Sequence, residues 1–315
     1  MLNSQDWRTD TAGLTQEQFA IIGADPNAED VLRPHVTYLQ DAWRRLRQNK
    51  LSMFGLVLLC VLTVMVIIGP IISPYDYESV DPVIKNQPPS AEHWFGTDSL
   101  GRDYFARVWQ GGRVSIVIGL SGAFISAVAG CIYGGLAAYF GGRVDTLMMR
   151  IVEILNSVPY LLVVILLSLV LDSKGIGTLL LAMTLTGWCS IARLVRAQML
   201  QIRSSDYVLA ARLLGVSPMK IVVQHLIPNT FSVIIVAVTF RIPSYIFGEA
   251  FLSYVGLGVQ APQTSWGALC SQAQVGLVFH PYLMFLPAGA IAMTMLAFTL
   301  LGDGLRDALD PRMRR

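Results

Sequence analysis

Charge is scarce in this 315-residue chain: Asp, Glu, Lys and Arg together make up 14% of it, against about a quarter in soluble globular proteins. The little there is nearly cancels, 23 Lys+Arg against 21 Asp+Glu, for a net charge of +2. So weak a global field excludes a nucleic-acid binder, and the apolar content excludes a disordered chain. Cysteine is rare too. Cys60, Cys131, Cys189 and Cys270 form no Cys-x-x-Cys pair, which excludes a disulfide framework or a zinc ribbon and leaves them as small hydrophobes. The four histidines, His35, His93, His225 and His280, are scattered with no two at ligand spacing, so no metal centre is expected. None of Lys50, Lys85, Lys174 and Lys220 follows a glycine. A phosphate-binding GxxxxGK[ST] loop is therefore missing, and the chain should not hydrolyse ATP itself. Residues 1–50 are polar, so no cleavable signal peptide is expected.

What fills the chain is apolar. Hydrophobic residues make up 54%; leaving out the 11 Tyr and counting the 27 Gly raises this to about 59%, above the usual 45–50%. Six runs approach the roughly 20 residues that an α-helix needs to cross a bilayer. They are Leu51–Ile72, Val114–Phe140, Ile151–Leu171, Ile176–Val195, Phe231–Leu252 and Tyr282–Leu301. Arg193 closes the fourth and Arg241 interrupts the fifth. The expectation is an all-α polytopic membrane protein with six transmembrane helices. Basic residues set its orientation. With the N-terminus inside, 17 of the 23 Lys and Arg fall on the inner side and 5 on the outer, Arg241 being within a span. Both termini are expected in the cytoplasm. The divisions are then a cytoplasmic N-terminal segment 1–50, a first helix 51–72, an extracytoplasmic loop 73–113, a five-helix core 114–301 and a cytoplasmic tail 302–315.

Local patterns add detail. His35–Lys50 places Tyr38, Leu39, Trp43 and Leu46 at helical spacing among basic residues, which suits an amphipathic elbow on the inner leaflet or a solvated basic flank. In the loop Arg196–Pro228, Ser205 is placed to cap a short helix from Asp206 and Gly215 to end it. Ser217–Pro218 restarts a second helix, expected to stop near Ile227–Pro228. Two short helices around a glycine turn would make a protruding knob suited to a soluble partner. On the outer side Asp103 and Arg107, four apart, are expected to pair on one helix face. Gly111–Gly112 should bend the chain before the second span. Trp94 and Phe95 suit an interfacial anchor, and Pro262 with Trp266 suggests an ordered outer loop resting at the interface. Gly130 and Gly134 have the spacing for close helix packing. Arg150 and Glu153 can pair with each other. Arg241 and Glu249, roughly 80° apart around one helix, are candidates for the translocation path or for pairing with a partner chain.

Rival classes have less to stand on. Gly119-Leu-Ser121-Gly122 matches the GxSG of an intramembrane serine protease, but every His lies in a loop or at a boundary, so the serine lacks a base. A secondary transporter would show matching broken helices in two halves, and no internal match is visible.

Several of these stretches resemble one family. Tyr207-Val-Leu-Ala210-Ala211-Arg212-Leu-Leu-Gly215 followed by His225-Leu-Ile-Pro228-Asn229 resembles the EAA loop of ABC-type importer permeases. Ala210, Ala211, Gly215 and Pro228 keep the family register. Leu209 replaces its Glu, His225 its first Ile and Ile227 its Leu, so no salt bridge can be carried over to position 209. His93-Trp-Phe-Gly-Thr-Asp98-Ser-Leu-Gly-Arg102-Asp103 resembles HxFGTDxxGRD. Leu252-Ser-Tyr-Val-Gly-Leu-Gly258 with Pro262 and Ser265-Trp266-Gly267 resembles LSFLGLGxxxPxxSWG. Gly302-Asp-Gly-Leu-Arg-Asp-Ala-Leu-Asp-Pro-Arg312 resembles GDxLRDxLDPR. With the Trp43–Lys50 flank, the likeness covers roughly residues 40–315 and points to the oligopeptide/dipeptide (OppC/DppC-like) permeases. It implies the type I ABC importer permease fold and a multi-pass subunit of the bacterial cytoplasmic membrane, with no cofactor of its own. Implied partners are a homologous permease, two ATPase subunits that hold ATP and Mg, and an extracytoplasmic peptide-binding protein. It further implies ATPase coupling through Tyr207, Ala210, Ala211, Arg212, Gly215, His225 and Pro228, and extracytoplasmic contact near Asp98, Arg102, Asp103 and Trp266. Nickel-chelate permeases share much of this pattern, so that cargo stays open beside peptides.

Overall fold

The computed structural model describes residues 38–171 and 175–309. His35, Lys174 and the Asp310–Arg312 end of the tail motif lie outside them. Of the unit Met1–Asp41, only the helical turn from Tyr38 is described; Ala42 onward belongs to one compact body.

The described residues are almost entirely helical, with a single β-bridge between Thr97 and Asp103. Helix α1 (Tyr38–Gln48) ends where Asn49 takes over: its side-chain oxygen accepts the backbone N–H of Leu51 and Ser52 at 3.1 and 3.2 Å and opens α2 (Lys50–Ile72). Ala42 and Leu46 of α1 pack on Ala308 and Leu309, leaving Trp43 exposed. Helix α2 is apolar all round. Its buried positions include Ser52, Gly55 and Gly69, while Phe54, Val57, Val61 and Val64 face outward. Small residues inward and large apolar ones outward are the pattern of a helix in lipid. Pro70 has no N–H to give the Val66 carbonyl. Arg113 of the next helix supplies the missing donor, with Nε to Val66 O at 2.9 Å and Nη2 to Ile67 O at 2.6 Å.

Helix α3 (Tyr104–Phe140) starts ten residues before the expected Val114, because Asp103 caps it by accepting Ala106 N–H at 2.8 Å. Gly111–Gly112, expected to bend the chain before the second span, lie inside one continuous helix. The helix continues through them, and the two glycines give room to Ser265 and Trp266. Gly134 does the same for the next neighbour: a Cβ there would overlap the Ala192 backbone.

The third span departs most from expectation. Ile151–Leu171 is not one helix but the end of α4 (Gly142–Ser157) and all of α5 (Tyr160–Val170), bent by 82°. The cause is local. Pro159 removes a donor and pushes Val158 to an extended ψ of 124°. Among the described residues, five helices are long and apolar enough to cross a membrane, or six if this bent pair is one span.

After α6 (Ile176–Ile202) come α7 (Asp206–Leu213) and α8 (Pro218–Ile221). The expected stop at Ile227–Pro228 is overturned. A single π turn, Val222–Leu226, carries α8 directly into α9 (Ile227–Tyr254), so Pro218–Tyr254 is one 37-residue rod. In the wide turn Ile227 N–H reaches back to Val222 O, which makes room for the proline ring. Asn229 Nδ2 and Thr230 Oγ1 donate to the carbonyls of His225 and Leu226 at 2.6 and 3.1 Å. Helix α10 (Trp266–Ala273) is tucked against α3 and α9, and α11 (Tyr282–Leu309) lies against α2 and α9. Helix α11 continues eight residues past the expected Leu301, so most of the described tail is helix rather than a separate segment.

Candidate functional site

Three regions gather the chemistry. The first is the knob at the end of the bundle where α1 meets the last turns of α11. Helix α7 buries Val208 and Ala211 against Met199, Ile221 and Val222. Neither Ser205 nor Ser217 makes the side-chain cap its position invites; Ser205 Oγ turns back to donate to Ile202 O at 2.7 Å. The turn is secured by backbone instead. Gly215, at φ +75°, lets its own N–H reach Arg212 O at 3.1 Å and Val216 N–H reach Ala211 O at 3.2 Å. This is a left-handed helix stop that satisfies carbonyls otherwise left open. Its tip is apolar and bare: Leu213 and Leu214 are 89% and 83% exposed, with Tyr207, Leu209, Met219 and Val223 exposed beside them. Arg212 lies over the Tyr139 ring, 4.9 Å from its centroid. Of the residues singled out in sequence, Ala211 is buried, His225 half-buried, and Tyr207, Ala210, Arg212, Gly215 and Pro228 are exposed. This is a large bare apolar surface on a structured tip.

The second region is a cavity of about 370 Å³ between α4–α5, α6 and α9. Thr186, Ser190 and Arg193 reach it from α6, and Arg241 and Ser244 from α9, each set at helical spacing. Neither arginine has an acidic partner among the described residues. Two unpaired guanidiniums on helices otherwise apolar enough to span a membrane give the cavity a positive potential suited to carboxylates and carbonyl oxygens. The sequence singled out Arg241 but read Arg193 as an inner flank. Its seven-residue spacing from Thr186 was the available signal. Glu249 does not face this cavity. It is fully buried on another side of α9, bonded to serines rather than to Arg241.

The third region, at the opposite end of the bundle, is a buried network. Asp98 Oδ2 accepts from Arg102 Nε at 2.7 Å and lies 3.4 Å from Arg107 Nε. Arg107, 1% exposed, also donates to Gln272 Oε1 on α10 at 3.1 Å. The expected pairing of Asp103 with Arg107 does not form. An N-cap carboxylate turns toward the helix start, not along its face, and Asp103 meets His93 Nδ1 at 2.9 Å. Trp266 is not at an interface either. It is fully buried, with Nε1 donating to Val108 O at 2.8 Å. Asp98, Arg102, Asp103 and Trp266 thus shape this surface from beneath. Phe95 packs into the core beside them, while Trp94 is half-exposed and edge-on to Phe105. At the knob end, Arg150 and Glu153 do pair, at 2.7 Å and largely exposed.

Comparison with known proteins gives the family and the fold. The family described as "Binding-protein-dependent transport system inner membrane component" matches residues 104–315, and "N-terminal TM domain of oligopeptide transport permease C" matches residues 37–89. The dipeptide transport system permease protein DppC of Bacillus subtilis (strain 168) is 49% identical over 302 residues, covering 95% of this chain and 94% of that one. The oligopeptide transport system permease protein OppC of the same organism is 46% identical over 289 residues, covering 92% and 94%. Among solved structures, a chain of the MetNI methionine ABC transporter in inward facing conformations superposes with a TM-score of 0.51 at 20% identity, over 65% of this chain and 94% of that one. That last likeness shows the fold, that of a type I ABC importer permease.

Proposed function

The chain belongs to the inner membrane components of binding-protein-dependent transport systems, and from that premise we propose that it forms one half of the path by which an ATP-driven importer carries peptides across the bacterial cytoplasmic membrane. Its closely similar relatives bear the names of dipeptide and oligopeptide permeases, which supports peptides over nickel chelates as cargo. The other half of the path is a homologous permease. Two ATPase subunits, holding ATP and Mg, work from the cytoplasmic side, and a peptide-binding protein delivers from outside.

The observation that carries this reading is the knob. A bare apolar tip, held by a glycine stop, sits at the start of an unbroken 37-residue rod. ATPase closure against Tyr207, Leu213, Leu214 and Met219 would tilt that rod as one piece, so that nucleotide state biases one bundle arrangement over another. The excess of Lys and Arg on the same side supports a cytoplasmic knob with both termini beside it. The cavity bearing Arg193 and Arg241 belongs to the path and meets peptide carboxylates and carbonyls. The surface held up by Asp98, Arg102, Asp103 and Trp266 faces the binding protein.

The test is uptake into vesicles carrying this chain with its partner subunits, using labelled tri- to pentapeptides and nickel chelate, with and without internal ATP. ATP-dependent peptide uptake is expected. Uptake indifferent to ATP would return the chain to the secondary transporters; uptake of nickel alone would keep the machine and replace its cargo.

A further inference from the structure

A carboxyl group buried in a membrane helix is costly and survives only where hydrogen bonds satisfy it. Glu249, 0% exposed and four residues short of Ser253 on α9, is such a group. Its Oε2 accepts from Ser115 Oγ of α3 at 2.8 Å and its Oε1 from Ser253 Oγ at 2.7 Å. No cation is paired with it among the described residues. The serines extend the contact outward. Ser253 Oγ accepts the backbone N–H of Val259 at 3.1 Å and lies 3.4 Å from Ser265 Oγ. Ser265 caps α10 by accepting Ala268 N–H at 3.1 Å, and Trp266 N–H points to Ser115 Oγ at 3.3 Å. One carboxyl therefore ties together α3, the outer end of α9, the following loop and the start of α10. The backbones are equally close: a Cβ on Gly267 would overlap the backbone of Ala250.

A leucine would fill the same space without the desolvation cost, so packing alone does not account for a carboxyl. What it adds is direction, because its bonds accept only one seating of α10 on α9. Position along the chain gives that seating a use. The rod that begins at the knob ends at this joint, and beyond α10 lies an exposed apolar tip, Val275, Val278 and Phe279. We propose that Glu249, keyed by Ser115, Ser253 and Ser265, is a positioning residue that makes α10 and the outer loop move with the rod, so that events at the outer surface and at the knob are coupled. The inference rests on the transport reading above, since it needs a partner at each end.

The test uses the assembled transporter in lipid vesicles and reads ATP hydrolysis with and without peptide-loaded binding protein outside. Glu249→Leu is expected to keep assembly and basal hydrolysis but to cut the stimulation by the binding protein at least fivefold. Glu249→Gln, whose amide oxygen still accepts from one serine hydroxyl while its NH2 can donate to the oxygen of the other, should retain most of it. Wild-type stimulation in Glu249→Leu would overturn the proposal, as would Gln failing as badly as Leu, which would make charge rather than seating the cause. Should Glu249→Leu not assemble, Ser115→Ala decides: it deletes the bond to Glu249 and the one from Trp266 N–H, leaves Ser253 in place, and unchanged stimulation there would overturn the joint. If the wild-type complex shows no stimulation at all, the transport reading itself falls.

Discussion

Gly215 offers the sharpest test of the knob. Its φ of +75° lies in the left-handed region, and an added Cβ would meet nothing within 4 Å. Any penalty on substitution is thus one of backbone conformation, not of collision. That penalty is about 1–2 kcal/mol for an ordinary L-residue, smaller for Asn and larger for a β-branched side chain. A shift of this size changes the ratio of correct to incorrect turn by roughly 5- to 30-fold. Opposing it are the two backbone hydrogen bonds across the turn, at 3.1 and 3.2 Å, worth about 0.5–1.5 kcal/mol each. The balance predicts a graded series. Gly215→Asn should keep at least about half of ATP-dependent uptake, Gly215→Ala should be intermediate, and Gly215→Val should retain less than about a tenth. Uptake in vesicles, normalised to assembled complex, reads the series. Equal activity of Val and Asn would refute the reasoning. So would an Asn variant as poor as Val, because that would mean the space beside Gly215 is occupied in the working complex and side-chain bulk, not φ, decides.

Other consequences follow from single contacts. Arg113→Met removes the charge-assisted donor at Val66 O and should destabilise the folded chain in detergent by about 1.5–3 kcal/mol; in a Pro70→Ala background, where residue 70 regains its N–H, the loss should shrink by at least about 1 kcal/mol, and equal losses in both backgrounds would refute the substitution of one donor by the other. Arg241→Met should lower uptake of acidic peptides more than that of neutral ones, and unaltered uptake across peptides of different charge would remove Arg241 from the path. Burial pushes the Cys270 thiol up to about 11, so in a chain with no other cysteine the ultraviolet absorbance of its thiolate should still be rising at pH 10; a titration complete below pH 9 would contradict the burial.

Read residue by residue, the sequence determined the apolar runs, and with them an all-helical membrane protein, because a run of about 20 apolar residues has few other places to go. It also marked the knob, since Gly215 and Ser217–Pro218 act over a single turn, and it carried the likeness to peptide permeases in five ordered motifs. The break at Val158–Pro159 was missed when Ile151–Leu171 was read as one span, although the proline is a local signal for it. Longer-range matters were decided by the tertiary structure. Pro228 reads as a helix end, yet a π turn absorbs it and the rod continues. Asp103 reads as a partner for Arg107, yet capping geometry sends it to His93 and leaves Arg107 to Asp98 and Gln272. Trp266 reads as part of an outer loop resting at the interface, yet its indole is buried on Val108. Arg193 and Arg241 stand 48 positions apart and share a cavity; Ser115 and Glu249 are 134 positions apart and share a hydrogen bond. Hydropathy and spacing report what a residue prefers within its own helix, whereas a partner's identity depends on which helix faces stand opposite each other, and only the packed bundle sets that.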